Sequence, residues 1–422
     1  MRILVVGGGG REHAIVWALK KSEKVKEVFC APGNAGIAQI ADCVPIAVNQ
    51  FDELVKFAKD AAIDLVFIGP DDPLAAGIVD AFEAHNIPVY GPNKAAAEIE
   101  GSKIFMKDLL RKYNIPTAKY ETFTNYESAL AYLREQSVPI VIKADGLAAG
   151  KGVTVAYSME EAEKALKEAM VDKVFGEAGN QIVIEEFLEG QEMSILAFVD
   201  GETVKAMVPA QDHKPVFDND KGPNTGGMGT YTPLPHIDQA IIDESIENII
   251  KPTAKAMVSE GRPFRGVLFA GLMITKDGPK TIEFNARMGD PETQVVLPRL
   301  KTELVDVVLA SLNGRLDQLE LEWSEEAAVC VIVASEGYPA SYPKGREITG
   351  LDAAEAQGAL VFHAGTAEKD GKIVTSGGRV LGVVGRGRDI AEARARAYEA
   401  VSVIHFDGMH SRTDIAAKAL KG

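Results

Sequence analysis

Three polar side chains alternate with apolar ones between residues 281 and 287. Glu283, Asn285 and Arg287 are two positions apart, so in a β-strand they project from one face. A carboxylate beside an amide oxygen suits a hard cation such as Mg²⁺, and a guanidinium suits a phosphoryl oxygen. A solvated strand face without any ligand would show the same alternation. The polar turn that follows, residues 288–293, favours a site.

A glycine-rich loop at residues 144–152 lies between two predicted strands. Its glycines and lysine are Gly146, Gly150, Lys151 and Gly152. The loop is not a Walker motif, because Asp145 replaces the first glycine of that pattern and Gly152 replaces its Ser or Thr. We expect a mobile loop that closes over phosphates through its N–H groups, with Lys143 pointing into the same space. The alternative is an ordinary hairpin with a surface lysine.

A second glycine loop, residues 7–10, follows a strand and begins a helix. Backbone N–H groups of Gly8, Gly9 and Gly10 could bind an anion there, helped by the helix dipole. A dinucleotide site is disfavoured, because Glu12 stands where its third glycine belongs and no carboxylate ends the second strand. The sequence favours a small phosphorylated ligand over a tight turn that binds nothing.

The segment 212–231 combines one acidic residue with several glycines. Asp212 is a carboxylate that could pair with an ammonium, or it could only cap a loop. Gly226, Gly227 and Gly229 would let the backbone approach a very small substrate. This chemistry suits a very small substrate that carries an ammonium group.

The elements that must position these residues fall into three groups. Strands at 3–6, 28–30, 44–48, 65–68 and 88–90 alternate with helices at 12–21, 52–61 and 74–85, which predicts a doubly wound parallel sheet. A helix at 102–114, capped by Ser102, then leads into strands at 140–143, 153–156 and 182–185. From residue 194, Asp-Gly turns at 200–201 and 277–278 predict antiparallel hairpins, and residues 241–258 a helix. A strand at 328–334 and a helix at 390–405 follow an acidic boundary.

The predicted fold class is therefore α/β and α+β, with several domains. We expect an N-terminal doubly wound parallel-sheet domain at 1–100, a central module of two α+β lobes at 101–326 with its smaller lobe at about 115–190, and a small α+β domain at 327–422.

Composition excludes several classes of protein. The chain has 422 residues, and its 45 Lys and Arg against 61 Asp and Glu give a net charge of -16. So acidic a chain is a poor partner for nucleic acid or for an anionic membrane surface. Its 3 cysteines are no disulfide framework. We expect a cytoplasmic protein that contacts neither nucleic acid nor membrane.

The motifs together resemble the ATP-grasp superfamily and, more narrowly, the glycinamide ribonucleotide synthetase (phosphoribosylamine–glycine ligase) family. The resemblance covers nearly the whole chain. It rests on GGGGREHA, IVIKADGLAAGKGV, VIEEFLEGQE, QDHK followed by KGPNTGGMG, EFNARMGDPETQ, and SGGRVLGV, in that order.

The resemblance implies a role for each matching residue. ATP would contact Lys103, Lys143, the loop with Gly146, Gly150, Lys151 and Gly152, the interlobe residues Glu185, Glu186, Phe187 and Leu188, and Glu192 at the ribose. Mg²⁺ or Mn²⁺ would be held by Glu283 and Asn285. Glycine and phosphoribosylamine would be bound by Gly8, Gly9, Gly10, Asp212, Gly226, Gly227 and Arg287, with Arg287, Lys143 and Asp212 as the catalytic residues.

The resemblance further implies ligation of glycine to phosphoribosylamine through glycyl phosphate, in de novo purine biosynthesis, by a chain that we expect to be a monomer. Three departures from the family pattern stand out. Pro215 replaces a basic residue, Met288 an aromatic one, and residues 266–274 lack a carboxylate that many superfamily members use as a further metal ligand.

Other classes remain as alternatives. A nicotinamide oxidoreductase and a catalytically silent ATP-binding sensor are two of them. A different ATP-grasp ligase, such as a biotin carboxylase or a carboxyaminoimidazole ribonucleotide synthase, is the third.

Overall fold

The N-terminal region forms a parallel sheet with helices around it in a computed structural model that describes residues 1–147 and 152–420. Its elements are β1 (Arg2–Gly7), α1 (Gly10–Leu19), β2 (Glu27–Pro32), β3 (Asp42–Cys43), α2 (Phe51–Asp60), β4 (Leu65–Ile68), α3 (Asp71–Ala76), α4 (Ile78–Glu83) and β5 (Val89–Tyr90). The strand order is β3-β2-β1-β4-β5, and all neighbours are parallel. The predicted doubly wound sheet is confirmed.

Two local predictions for this region are wrong. Residues 44–48 form no strand, and β3 ends at Cys43. Pro45 has no N–H to donate to a neighbouring strand, which stops the ladder there. The single helix predicted at 74–85 is two helices, because Gly77 adopts a left-handed conformation with φ of 96° between α3 and α4.

A four-stranded antiparallel sheet builds the smaller lobe of the central region. The elements that lead to it and form it are α5 (Lys94–Gly101), α6 (Lys103–Lys112), β6 (Tyr120–Phe123), α7 (Tyr126–Arg134), β7 (Ile140–Ala144), β8 (Val153–Ala156), α8 (Met159–Met170) and β9 (Ile182–Glu186). The strand order is β6-β9-β7-β8. Ile142 and Ile184 pack against α7 and α8 on one face. Because side chains alternate, Lys143 and Glu185 face the other side, toward the larger lobe.

The larger lobe is a second antiparallel sheet with the order β11-β10-β16-β17. Its elements, with the segments inserted between them, are β10 (Gln191–Asp200), β11 (Thr203–Ala206), β12 (Gln211–Asp212), β13 (Pro215–Phe217), β14 (Lys221–Asn224), β15 (Gly229–Thr232), α9 (Gln239–Ser245), α10 (Lys251–Ser259), β16 (Arg265–Thr275), β17 (Gly278–Asn285), α11 (Thr293–Val296) and α12 (Leu304–Leu312). Both predicted hairpins are present. The helix predicted at 241–258 is interrupted by a π-helical turn at Ile246–Ile250.

The C-terminal region completes an antiparallel sheet that begins in the central region. Its elements are β18 (Ala327–Ser335), α13 (Leu351–Ala356), β19 (Leu360–His363), β20 (Thr366–Lys369), β21 (Lys372–Thr375), β22 (Arg379–Gly387), α14 (Ile390–Val403) and β23 (Met409–His410). The strand order β12-β15-β18-β22-β19 joins β12 and β15 to the C-terminal strands. Within residues 1–147 and 152–420, no helix is long and apolar enough to cross a membrane.

Candidate active site

A buried ion cluster lies on the face of the small-lobe sheet that is turned toward the larger lobe. The carboxylate of Glu185 contacts the ammonium groups of Lys143 on β7 and Lys107 on α6, and the side chains are 5%, 6% and 0% exposed. Burial opposes ionisation of Glu185, but the two lysines outweigh it and hold the pKa of this carboxyl below its usual value. Lys143 Nζ also donates to the backbone oxygen of Ile282 at 3.3 Å, which connects the two lobes.

The second predicted lysine stands at the start of α6. Ser102 is the N-cap of this helix, as predicted, and its hydroxyl accepts from the Phe105 N–H at 3.0 Å. Lys103 Nζ donates to the backbone oxygen of Gly146 at 2.5 Å, and burial lowers the pKa of this lysine. Asp145 accepts from the Ile104 N–H at 3.1 Å, so the loop begins against α6.

The predicted phosphate-covering loop is described only at its ends. Gly150 and Lys151 lie outside the described residues. At the far end the Gly152 backbone oxygen accepts from the Ala144 N–H at 2.8 Å, which pairs the two strands up to the loop.

The segment between the lobes runs from β9 into β10. Glu186 accepts from the Lys119 N–H at 3.0 Å, and the Phe187 ring lies 6.1 Å from the Tyr157 ring. Leu188 is half-buried and follows directly. Glu192 is exposed on β10, so its carboxylate is available to a ligand.

The polar face of β17 is present as predicted. Glu283, Asn285 and Arg287 are partly exposed, whereas Phe284 and Ala286 between them are buried. Arg287 Nη2 donates to Asn285 Oδ1 at 3.3 Å, which confirms that these two side chains share a face. The same guanidinium lies 2.9 Å from Glu100 and 3.7 Å from Asp71.

Glu283 and Asn285 offer one carboxylate and one amide oxygen to a cation. The described residues contain no cluster of three or more His, Cys, Asp or Glu side chains that could hold a metal by themselves. This donor set fits a cation that is held mainly by substrate phosphates and water, which is how proteins commonly bind Mg²⁺.

Asp212 lies beneath the glycine-rich segment. It is 8% exposed, and its Oδ1 accepts from the His213 N–H at 2.7 Å. Gly227 has φ of 119°, and a Cβ there would lie 2.6 Å from Asp212 Oδ2 and 2.6 Å from Pro291 Cδ. Only glycine therefore fits between this carboxylate and the turn after β17.

Two residues of the C-terminal region hold the neighbouring glycine. The Gly226 N–H donates to the Tyr338 hydroxyl at 3.0 Å, and the Gly226 oxygen accepts from Arg379 Nη1 at 2.8 Å. The pocket around Asp212 thus has walls from two regions of the chain.

Several carboxylates surround Lys214. Against the cost of desolvation, nearby carboxylates raise its pKa; these are Asp212, Glu292, Glu283 and Glu192. The same cleft therefore contains the β17 face, the Asp212 pocket and Glu192.

Sequence models of the phosphoribosylglycinamide synthetase family match three consecutive parts of the chain. The N domain matches residues 1–100, the ATP-grasp (A) domain residues 101–293 and the C domain residues 328–418. The chain belongs to the phosphoribosylglycinamide synthetase family.

Individual relatives in this family are similar over their full length. The phosphoribosylamine–glycine ligase of Caldanaerobacter subterraneus subsp. tengcongensis is 52% identical over 417 residues, which are 99% of this chain and 100% of that protein. The crystal structure of phosphoribosylamine–glycine ligase from Thermotoga maritima superposes with a TM-score of 0.88 at 37% identity, covering 99% of this chain and 100% of the other.

Other ATP-grasp enzymes share only the fold. Biotin carboxylase from Campylobacter jejuni superposes with a TM-score of 0.74 at 15% identity, covering 97% of this chain and 92% of the other. Likeness at this level describes architecture and says nothing about substrate.

In this synthetase-family chain the N-terminal glycine loop is filled by its own side chain. Glu12 Oε2 accepts from the Gly9 N–H at 2.7 Å, and Glu12 Oε1 accepts from Arg11 Nε at 2.6 Å. A Cβ at Gly69 would lie 2.0 Å from Glu12 Oε1, so this glycine makes room for the carboxylate. Glu12, which breaks the dinucleotide-binding pattern, therefore accepts a hydrogen bond from the Gly9 N–H, a group that could otherwise bind a phosphate.

The remaining groups of that loop are held by other parts of the fold. The Gly8 oxygen accepts from Asn34 Nδ2 at 3.0 Å, and a Cβ at Gly10 would lie 2.7 Å from Gln294 Nε2. Substrate binding by Gly8, Gly9 and Gly10 stays a prediction.

The family departures have structural counterparts. Met288 is 1% exposed within the core, so it occupies a packing position. The backbone oxygen of Pro215 accepts from Arg412 Nη1 at 3.0 Å, which ties β13 to the C-terminal tail.

Sequence reasoning gave no role to five residues that the cleft contains. They are Lys107, Lys214, Glu292, Tyr338 and Arg379. Lys214 lies in the motif QDHK, Arg379 in SGGRVLGV and Glu292 in GDPE. A charged residue inside one of these motifs could therefore have been predicted to lie in the site. Nothing in the local sequence distinguishes Lys107 or Tyr338 from surface residues.

Proposed function

We propose that this chain is an ATP-dependent ligase that joins glycine to 5-phosphoribosylamine. The products are glycinamide ribonucleotide, ADP and phosphate, which is a step of purine biosynthesis. Glycine's carboxylate is a poor electrophile, and transfer of the γ-phosphoryl group of ATP would convert it to glycyl phosphate. The amine of phosphoribosylamine then attacks the carbonyl carbon, and phosphate leaves.

The ATP site in this proposal is the cleft between the two lobes. Lys103 and Lys143 face its phosphates, and the segment Glu186, Phe187 and Leu188 faces adenine, with Glu192 at the ribose. Glu185 holds Lys143 in place through the buried ion cluster. The loop with Gly146, Gly150, Lys151 and Gly152 covers the phosphates and keeps water from the acyl phosphate.

Glu283 and Asn285 would hold Mg²⁺ or Mn²⁺ together with the phosphates. Such a metal, when bound, neutralises charge on the transferring phosphoryl group. Arg287 on the same face would take the glycine carboxylate or the phosphate built on it.

Asp212 would pair with the ammonium of glycine. The glycines at 226 and 227 let Arg379 and the Asp212 carboxylate approach the backbone closely, because a Cβ at either position would collide with them. The observation that carries the proposal is the contact between Asp212 and Gly227. It places a buried carboxylate against a glycine in left-handed conformation, beside the β17 face. The phosphoribosyl group would lie toward Gly8, Gly9 and Gly10.

The direct test measures ADP release with ATP, Mg²⁺ and candidate pairs of a carboxylate and an amine. We expect release that depends on glycine and on phosphoribosylamine formed in the assay from ribose 5-phosphate and ammonia. Release with bicarbonate and none with glycine would contradict the substrate assignment. A change in NADH absorbance would favour an oxidoreductase, and binding of ATP without any turnover would favour a silent sensor.

The metal assignment has its own test. Glu283→Gln should lower turnover on the order of a hundredfold or more, because the metal's stabilisation of the transition state is worth several kcal/mol. A folded variant with near-wild-type turnover at saturating ATP would show that Glu283 is not a metal ligand.

Assembly and location are further parts of the proposal. We expect a monomer in the cytoplasm that binds these small molecules and neither nucleic acid nor membrane. Light scattering of the purified chain measures the oligomeric state.

A further inference from the structure

Glu292 is a buried carboxylate that, among the described residues, accepts a hydrogen bond only from its own backbone N–H and forms no ion pair. It is 2% exposed, yet no other described residue donates a hydrogen bond to its carboxylate, and no cation forms an ion pair with it. Buried carboxylates are usually paired with a cation, so a buried carboxylate bonded only to its own backbone N–H requires an explanation.

Asp290, two residues earlier, shows what a structural carboxylate looks like in the same turn. Its Oδ1 accepts from Gln294 Nε2 at 2.7 Å and lies 3.6 Å from Arg379 Nη2, while its Oδ2 accepts from the Arg11 N–H at 3.4 Å. Burial opposes ionisation, but the two arginines hold the pKa of Asp290 below its usual value. Glu292 has none of these contacts.

Two contacts position Glu292 without giving it a counter-charge. The Pro291 oxygen accepts from Thr230 Oγ1 at 3.0 Å, which fixes the peptide that precedes Glu292. A Cβ at Gly289 would lie 2.4 Å from Glu292 Oε2, so Gly289 makes room for the carboxylate. The backbone is anchored, and the side chain occupies a space that only glycine leaves open.

This carboxylate belongs to the glycine pocket. A Cβ at Gly227 would touch both Asp212 Oδ2 and Pro291 Cδ, so the residue before Glu292 packs beside the Asp212 carboxylate. The charged groups whose fields reach Glu292 are Asp212 on β12, Lys214 after it, Arg287 after β17 and Arg379 on β22. Glu292 therefore lies where the proposed substrates would meet.

We propose that Glu292 is the proton acceptor for the amine of phosphoribosylamine when it attacks glycyl phosphate. A bond forms between the amine nitrogen and the glycyl carbonyl carbon, and the bond from that carbon to the phosphate oxygen breaks. The electron pair leaves with phosphate, and one N–H proton passes to the Glu292 carboxylate. Glu292 later releases the proton to solvent, so no further reactant is needed.

The electrostatics of the site agree with this role. Burial and the neighbouring Asp212 carboxylate raise the pKa of Glu292 to about 7. A base is most effective when its pKa lies near the working pH, because it is then largely ionised and still basic.

The inference rests on the proposed function, and the two half-reactions separate them. Formation of glycyl phosphate needs ATP and glycine only, and it can be followed as scrambling of oxygen-18 from the β,γ-bridge of ATP. Amide formation needs phosphoribosylamine as well. A proton acceptor for the amine matters only in the second step.

The experiment compares wild type with Glu292→Gln and Glu292→Asp, and uses the exposed Glu325→Gln as a control. Glu292→Gln should keep oxygen-18 scrambling and the KM for glycine within a few-fold, while amide formation falls about a hundredfold or more. Glu292→Asp should recover part of the loss. The acidic limb of the wild-type pH–rate profile, near pH 7, should be absent in Glu292→Gln.

The other possible results contradict either the proposed function or the role of Glu292. If the wild type forms no amide, the proposed function fails and the role of Glu292 with it. If the wild type is active and Glu292→Gln forms amide at a similar rate, only the role of Glu292 fails. Equal loss of scrambling and amide formation, or a raised KM for glycine with unchanged kcat, would also overturn it, since Glu292 would then act in structure or in glycine binding.

Discussion

The small lobe and the glycine pocket each bury a glutamate, and they treat it in opposite ways. Glu185 is in contact with two lysines, which lower its pKa despite burial. Glu292 has no such contact, and burial raises its pKa. Burial alone therefore does not reveal what a carboxylate does. A paired one fixes the position of its partners, whereas an unpaired one stays free to exchange a proton.

The largest effect should come from breaking the paired cluster. Glu185→Gln leaves Lys107 and Lys143 buried without a counter-charge, and should lower the free energy of unfolding by about 3–5 kcal/mol. Urea denaturation measures this loss. Glu163→Gln, which removes a partly exposed carboxylate bonded to Arg134, is the control and should change little. Equal stability of Glu185→Gln and wild type would mean that the cluster does not stabilise the fold.

Removing the charge beside Glu292 should act on substrate binding. If Asp212 pairs with the glycine ammonium as proposed, Asp212→Asn would lose a charged hydrogen bond worth on the order of 1.5–3 kcal/mol. The KM for glycine should rise tenfold or more, with the KM for ATP little changed. Initial rates at varied glycine check this. An unchanged glycine dependence would mean that Asp212 only caps its loop.

Crowding the same pocket should have a somewhat smaller effect. Gly227→Ala combines a strained left-handed conformation, about 1–2 kcal/mol, with a methyl group against Asp212. We expect kcat/KM for glycine to fall about tenfold. Gly201→Ala is a matched control, since Gly201 has φ of 60° and no atom within 4 Å of its Cβ position. If both variants lose the same activity, strain alone explains the result.

The smallest predicted effect is a gain in stability in Glu292→Gln, whereas Glu185→Gln should lose stability. The pKa of Glu292 rises from an ordinary 4.5 to about 7 on folding, so the unfolded chain releases this proton first. Ionisation of Glu292 therefore costs stability as the pH rises from about 4.5 to 7. Glu292→Gln should be more stable than wild type, and its advantage should grow by about 1 kcal/mol between pH 6 and pH 8. A thermal melt at both pH values decides it, and an advantage that shrinks with pH would contradict the raised pKa.

Much of the fold could be predicted from the sequence, because strong signals are local. The parallel sheet follows from alternating strands and helices, and the hairpin at Asp277 from its Asp-Gly turn. The strand predicted at 44–48 and the single helix predicted at 74–85 were wrong. In each case one backbone feature, Pro45 or the left-handed Gly77, interrupted an apolar pattern. The face shared by Asn285 and Arg287 was predictable because β-strand periodicity is fixed.

The partners of these residues could not be predicted. That Glu12 fills its own loop, or that Lys107 pairs with Glu185, depends on contacts between segments far apart in the chain. Glu292 stands in a visible motif, but only its packing against Gly289 and its lack of an ion pair distinguish it from Asp290. Sequence spacing gives the face of a strand, whereas pairing needs the tertiary structure.

The sheet that joins β15 to β18 has a consequence for how the chain can be cut. Gly229 pairs with Val331 and Thr232 with Ala328, so hydrogen bonds cross the predicted boundary at residue 326. A fragment ending there would expose the edge of β15, whose residues are all buried in the intact protein. Unpaired buried edges recruit other strands, so such a fragment should aggregate when expressed alone. Exchange of C-terminal regions between relatives would have to preserve this strand pairing, and the segment from 229 to 335 would have to move as one piece.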